Sequence, residues 1–356
     1  MRSATLLLAL AAAAPAAAAP SSATLLGIDV YGTVRFDEAA LREKFSDKIR
    51  QWLLQEALKD RSKSSAQKAV SLKKEIESDF QKAGGFAFST LQKVNADSSG
   101  SSIVLVFDAV ETVDSEKRLP YRVAPSGRFP DPAGLLAAWA GYQETGWELV
   151  HKGELPIDRV PCPAFYCTWG GATPALKTLE ERFINEVPVH KDALARILNE
   201  DGDPARRAQA LFLLSYLKEG QELSAAILPG VVDPEERVRE AAMRVFGDIA
   251  VYHRETPLPV AKIADVLDFP LVDDRTRGLA VLVGLADHPV YRGFILQHAA
   301  QQVLKLLRLK NSSNHDMAYT VLQMLSGERF PPRDYDAWEA WLQKARQADR
   351  TGAPDK

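Results

Sequence analysis

The sequence predicts a two-part chain: an α+β N-terminal domain in the order strand-helix-helix-strand-strand, then a mostly α stack of helix pairs, an α-solenoid. Three observations carry this. Between Thr24 and Glu111, three short stretches read as strands and two longer ones as helices. From Pro174 onward the chain is helical, broken only by short turns that hold Pro, Asp or Gly. Within that half an arginine followed three residues later by alanine recurs with a period of about 32 to 40 residues, the mark of stacked units.

Length and composition set the outer bounds. The 356 residues accommodate two ordinary domains. Apolar content of 46% and charged content of 26% match folded globular chains rather than disordered ones. A net charge of −3 gives no support for a nucleic-acid partner, which demands a clustered basic surface. The local run Lys59, Arg61, Lys63, Lys68, Lys73 and Lys74 reads as a solvated helix face.

Residues 1–23, MRSATLLLALAAAAPAAAAPSSA, have the layout of a secretory signal peptide: Arg2, an apolar segment from Leu6 to Ala14, then small residues. Pro20 disfavours a cut after Ala19, which leaves Ala18 or Ala23. The apolar segment falls short of the roughly 20 residues a transmembrane helix needs. The expectation is therefore export, periplasmic or extracellular, with no transmembrane span in the mature chain.

After this segment Thr24 to Tyr31 is a candidate strand. Phe36 to Leu58 reads as a helix with Asp37 as cap. A second helix ends at Gly84 and Gly85 and carries Leu72, Ile76 and Phe80 as a buried stripe. Ser89 to Asn95 and Ser102 to Glu111 are strands joined by a DSSG turn. In the last strand Ile103, Leu105, Phe107 and Ala109 alternate with Val104, Val106, Asp108 and Val110. Both faces are apolar, which predicts a central strand.

This order, with IDVYG, FDEAALREKF, AGGFAF and VLVFDAVE, resembles the POTRA domain, the periplasmic module of outer-membrane assembly and secretion proteins. The resemblance covers residues 24–112. The middle segment is longer and more basic than the family's and a single copy is visible, so an insertase role is not carried over. A small unrelated α+β domain is the alternative.

Residues 113–130, with prolines, glycine and charges, read as a linker. Residues 131–173 hold a helix opened by Asp131 and Pro132, with Leu135, Trp139 and Tyr142 on one face, and an irregular connector expected to cap the stack. The connector holds the chain's two cysteines, Cys162 and Cys167. In an oxidising compartment they predict a structural disulfide worth about 2 to 3 kcal/mol at most. A redox pair would more usually be Cys-x-x-Cys, and zinc would need further Cys or His ligands nearby.

The repeat domain, residues 174–346, resolves into helix pairs with units beginning near Asp201, Asp233, Asp273 and Ser312; residues 347–356 read as a disordered tail. The best unit is Asp233–Asp268. Asp233 is expected to cap its first helix, with Pro234 in the first turn and Val238, Ala242, Val245 and Ile249 on one face. Arg207 and Ala210, Arg239 and Ala242, and Arg277 and Ala280 align, with His315 in the arginine position of the last unit. The pattern D-P-x-x-x-V-R-x-x-A-x-x-V-F-G resembles the first helix of a HEAT-type repeat, which implies a right-handed α-solenoid over about residues 174–344. The aligned arginines are expected to be structural, pairing with acids of the preceding loops such as Asp201, Asp233 and Asp273.

No metalloprotease pair, nucleophile elbow, P-loop or dinucleotide glycine pattern occurs. Asp273 and Asp274 read as a helix cap and its solvated neighbour rather than metal ligands. The reading is a non-catalytic scaffold or adaptor, without cofactor or metal, that binds a protein or peptide partner. The resemblances point to a cell-envelope component. Alternatives are an enzyme or enzyme accessory with a site at the Cys162–Cys167 loop near Trp147, His151 and Trp169, and a purely structural surface protein.

Overall fold

The computed structural model describes residues 23–60, 62–155 and 162–351. The expected signal peptide, apart from Ala23, lies outside them, as do Arg61 and residues 352–356 of the expected tail.

The N-terminal part is built from β1 (Thr24–Tyr31), α1 (Glu38–Leu58), α2 (Lys63–Gly84), β2 (Phe88–Asn95) and β3 (Ser102–Val110). Asp37 caps α1 by accepting from the Ala40 N–H at 2.8 Å. Gly85 ends α2 at φ 65°, a left-handed conformation that costs glycine nothing. Lys59, Lys63, Lys68 and Lys74 are exposed, the solvated face read from the sequence. The sheet order is β1-β3-β2, with β1 parallel and β2 antiparallel to β3. β3 is therefore central. Its Ile103, Leu105, Phe107 and Ala109 join Leu41, Phe45, Ile76 and Phe80 in the small core under α1 and α2.

The other face of β3 explains why it is apolar on both sides: the remainder of the chain covers it. That remainder is mostly helical. It comprises α3 (Ser115–Arg118), α4 (Leu135–Lys152), α5 (Pro174–Glu186), α6 (Lys191–Glu200), α7 (Pro204–Leu214), α8 (Gly220–Ile227), α9 (Glu236–Tyr252) and α10 (Val260–Asp265). It continues with α11 (Val272–Leu285), α12 (Pro289–Phe294), α13 (Ala300–Leu307), α14 (Ser312–Ser326) and α15 (Tyr335–Thr351). The helices α7, α9, α11 and α14 pack each on the next, and one hydrophobic core runs through them. α15 carries helix through 347–351, so the expected tail does not begin there; Trp338 and Leu342 bury one face of this helix.

Residues 113–130 are not a free linker. The segment lies along the turns between helix pairs, which satisfy its polar backbone. The Arg122 N–H donates to the Val232 carbonyl at 2.9 Å, the Gly127 N–H to Glu200 at 2.9 Å, and the Gly202 N–H to Gly127 at 2.7 Å. Arg122 also donates to the carbonyls of Leu198 and Asn199, both at 2.7 Å, and to the Asp233 carboxylate. Proline and glycine signalled irregular backbone here; they carry no information on whether that backbone is docked.

Beneath this strap lies a ladder of buried arginines. Arg207 binds Asp233 through two nitrogens at 2.7 and 3.0 Å and also donates to the Asp201 carbonyl. Arg239 repeats the pattern one unit on, with Asp274 at 2.8 and 3.0 Å and the Asp233 carbonyl at 2.9 Å. The next rung is Arg275, which donates to Asn314 at 3.1 Å and to the Phe269 carbonyl at 2.8 Å. Each arginine thus bonds the turn six residues behind it by a carbonyl and the following unit by a side chain. The expected pairing with acids of the preceding loops is corrected: the charged partner of Arg207 and of Arg239 lies in the next unit, and for Arg275 the neutral Asn314 takes that place while its acid, Asp108, comes from β3.

Three further expectations shift. Arg275 and Gly278, not Arg277 and Ala280, occupy the repeat position, since Arg275 is buried, Ala280 is exposed and Arg277 pairs with Glu240 at 2.7 Å. A second arginine two residues away made the two registers indistinguishable in sequence. Asp233 and Pro234 lie outside α9, which begins at Glu236 with Glu235 as cap. The Asp233 carboxylate is occupied instead by Arg207, Arg122 and the Glu235 N–H. Likewise α11 begins at Val272, so Asp274 is a ladder acid rather than a helix cap's neighbour.

The ladder joins the two parts of the chain. Asp108 on β3 is fully buried and accepts from Arg275 and from Arg118 at 2.8 Å. Arg118 also donates to the carbonyls of Ala109 and Asp268. Tyr31 lays its ring against both guanidiniums, 4.3 Å from Arg275 and 5.2 Å from Arg118. Two residues before Tyr31 on β1, Asp29 accepts from the Lys310 and Asn311 N–H groups at 2.8 and 2.9 Å. On β2, Gln92 donates to the Pro270 carbonyl at 3.1 Å and accepts from the Val272 N–H at 2.8 Å.

Burial distinguishes the two arginine registers experimentally. Removing one partner of a buried pair strands the other's charge, so Arg239→Ala should lower unfolding free energy by about 3 to 5 kcal/mol. Arg277→Ala, at a half-exposed pair, should cost about 1 kcal/mol or less. Urea unfolding of both variants checks this, and equal losses would contradict the assigned register.

Candidate functional site

The surface beside the disulfide loop carries the densest gathering of aromatic and guanidinium groups among the described pockets. Its floor is a run of stacked rings. Trp139 of α4 stacks on Phe212 of α7, with centroids 5.5 Å apart and an interplanar angle of 18°, and Tyr166 stacks on the same Phe212 at 5.1 Å and 26°. Trp147, two turns along α4 from Trp139, is half exposed and meets Trp169 edge-on at 5.1 Å. α9 supplies the opposite wall with Arg237, Glu240 and Arg244. The enclosed space is a groove of about 570 Å³.

Local sequence dictates the placement of each wall. α4 spaces Trp139, Gln143 and Trp147 four residues apart, so all three align along one stripe. The Cys162–Cys167 disulfide, with Cα atoms 5.6 Å apart, closes a tight loop that carries Tyr166. Two further bonds pin that loop to the end of α7: the Phe165 N–H donates to the Ser215 carbonyl at 3.1 Å, and the Ser215 hydroxyl to the Tyr166 carbonyl at 3.0 Å. Gln143 donates to Thr168 at 2.8 Å and ties the loop to α4.

The charges in the groove are unbalanced. Arg244 binds Glu240 at 2.9 Å, and Arg277 reaches the same Glu240 oxygen at 2.7 Å. Arg237 is exposed and, among the described residues, has no carboxylate within ion-pair distance. One carboxylate thus serves two guanidiniums while a third is unmatched.

Behind the loop sits a buried acid. Glu180 of α5 is 2% exposed and accepts from the Tyr142 hydroxyl at 2.5 Å; that hydroxyl accepts in turn from the Trp169 N–H at 2.8 Å. Burial pushes the Glu180 carboxyl above its ordinary range, against the pull of the Tyr142 bond. The same burial raises the Tyr142 phenol.

Of the residues singled out in the sequence, Cys162 and Cys167 are joined and close the loop that brings Tyr166 to the groove. Arg207, Asp233 and Arg239 belong to the buried ladder with Ala210 and Ala242 packed beside them. Pro234 lies half-buried in the turn before α9, and Arg277 stands at the groove's edge through Glu240. Trp147 and Trp169 meet at the loop, and the His151 ring lies tilted beside Trp147 at 6.3 Å. Sequence reasoning missed Arg237, Arg244 and Glu240. Their spacing of three and four residues along α9 was visible, but it reads the same on any solvated helix face. No group of three or more His, Cys, Asp or Glu positioned to hold a metal occurs among the described residues. No described helix is long and apolar enough to cross a membrane. No protein-family model, curated protein or solved structure matches the chain.

The buried acid yields a signed pH effect. A carboxyl whose folded value is raised contributes stability that is complete below its unfolded value and is lost as pH rises through the folded one. Glu180→Gln keeps an acceptor for Tyr142 and cannot ionise. The variant should therefore gain Tm relative to wild type as pH goes from acid to neutral. Thermal unfolding across that range checks it, and a Tm offset that stays constant with pH would contradict it.

Proposed function

We propose that the protein is an exported, non-catalytic adaptor that holds a protein partner in the groove formed by α4, α7, α9 and the disulfide loop. In this reading the helix pairs are HEAT-type repeats and the N-terminal part is a POTRA-like domain, a combination suited to cell-envelope assembly or secretion. The observation that carries the reading is the groove itself. Stacked rings, an exposed tryptophan and unbalanced arginines gather on three helices and the disulfide loop, and aromatic residues with arginine are the side chains enriched at protein contact sites. The disulfide supports export, since such bonds persist in oxidising compartments. The strap and the buried ladder support a scaffold role, because they fix the stack's turns and hold its surface in one shape.

A photo-crosslinking amino acid placed at Gln209 in the groove, and separately at exposed Val290 far along the chain, tests this in the native host. The proposal expects an adduct of defined mass from Gln209 that disappears in the Trp147→Ala background. No adduct, or the same adducts from both positions, would contradict it.

A further inference from the structure

The charge and dimensions of the groove point to the chemistry of what it holds. The protein as a whole is acidic, with a net charge of −3, yet the charged groups on this wall are dominated by guanidiniums. Glu240 is already shared by Arg244 and Arg277, and Arg237 is unmatched. A basic or neutral occupant would leave that excess positive charge uncompensated, whereas carboxylates would complete it with charge-assisted hydrogen bonds.

Spacing narrows the class further. Arg237 and Arg244 are seven residues apart on α9, which places them on one face and about 10 Å apart along the axis. A single carboxylate cannot serve both positions. An extended chain in the polyproline II conformation rises about 3.1 Å per residue with three residues per turn, so side chains at i and i+3 share a face about 9 Å apart. Such chains dock against aromatic-lined grooves without a large ordering cost. Half-exposed Trp147 and partly exposed Phe212 supply that aromatic surface alongside the arginines, backed by the buried Trp139 and Tyr166.

Building on the adaptor reading above, we propose that the groove binds an extended acidic peptide segment of the partner. Two carboxylate side chains three residues apart meet Arg237 and Arg244, and the intervening apolar residues lie on Trp147 and Phe212. The second lone pairs of these carboxylates face solvent, which makes the contact sensitive to salt.

Fluorescence anisotropy with full-length mature protein and labelled proline-rich nonapeptides tests the assignment. One peptide carries glutamates at i and i+3; its twins carry glutamines, lysines or adjacent glutamates. The i, i+3 glutamate peptide should bind about tenfold tighter than its glutamine twin, and weaken as salt rises. Arg237→Gln and Arg244→Gln, both at exposed positions, should each cost about fivefold with unchanged circular dichroism. Equal binding of the glutamate and glutamine peptides, tighter binding of the lysine peptide, or no binding of the glutamate peptide would overturn the acidic assignment. The crosslink from Gln209 is read independently of peptide charge. If it persists while the glutamate peptide fails, the adaptor reading stands and the ligand class falls; if both fail, both fall.

Discussion

Asp108 is the point at which the chain's two parts become one. It sits on the central strand of the small sheet, out of contact with water, and accepts from a guanidinium on each side. An isolated carboxylate there would be prohibitively costly, and so would Arg275, which is also fully buried. Neither can leave the other without stranding a charge. The constraint fixes the sheet against the turn before α11. Arg275 carries the connection to Asn314, and Asp274, its neighbour in α11, binds Arg239, which in turn holds the Asp233 carbonyl.

That connection gives the strap its role. Arg118, Tyr121 and Arg122 are spaced so that each meets a different element: Arg118 reaches Asp108, the Tyr121 ring lies 4.5 Å from the Arg239 guanidinium, and Arg122 shares Asp233 with Arg207. For Asp233, burial works against the charge. The hydrogen bonds from Arg207, Arg122 and the Glu235 N–H outweigh it and hold the carboxyl below its ordinary range. The stack is thereby tied along one end by charged side chains, and the groove opens on helix faces whose own turns are immobilised. A buried ion pair contributes little net stability compared with a well-packed apolar one, so its value here lies in specifying register between successive helix pairs.

Much of the architecture was legible in the sequence because it rests on periodicity. The central position of β3 followed from apolar residues on both faces, the start of α1 and the end of α2 from Asp37 and Gly85, and the start of α5 from Pro174. What periodicity could not convey was pairing across long separations. Asp108 and Arg275 are 167 residues apart, and a lone aspartate in a valine-rich strand carries no mark of its partner. In the third unit Arg275 and Arg277 both fit the local spacing, and only burial separates them. The groove was only partly visible. Trp147 lines the groove and the Cys162–Cys167 loop brings Tyr166 to it, whereas Arg237 and Arg244 share a space with α4 only through the packing of separate helices, which leaves no local mark.

The dependence of the whole arrangement on Asp108 is tested most directly by hydrogen exchange during urea unfolding, read separately on β3 and on α11. In the wild-type protein the two should lose protection in one coincident transition. In Asp108→Asn, which leaves two buried arginines without a counter-charge, the transition should split, with the small sheet opening before or apart from the helices. Separate transitions already present in wild type, or a single unshifted transition in the variant, would contradict the account.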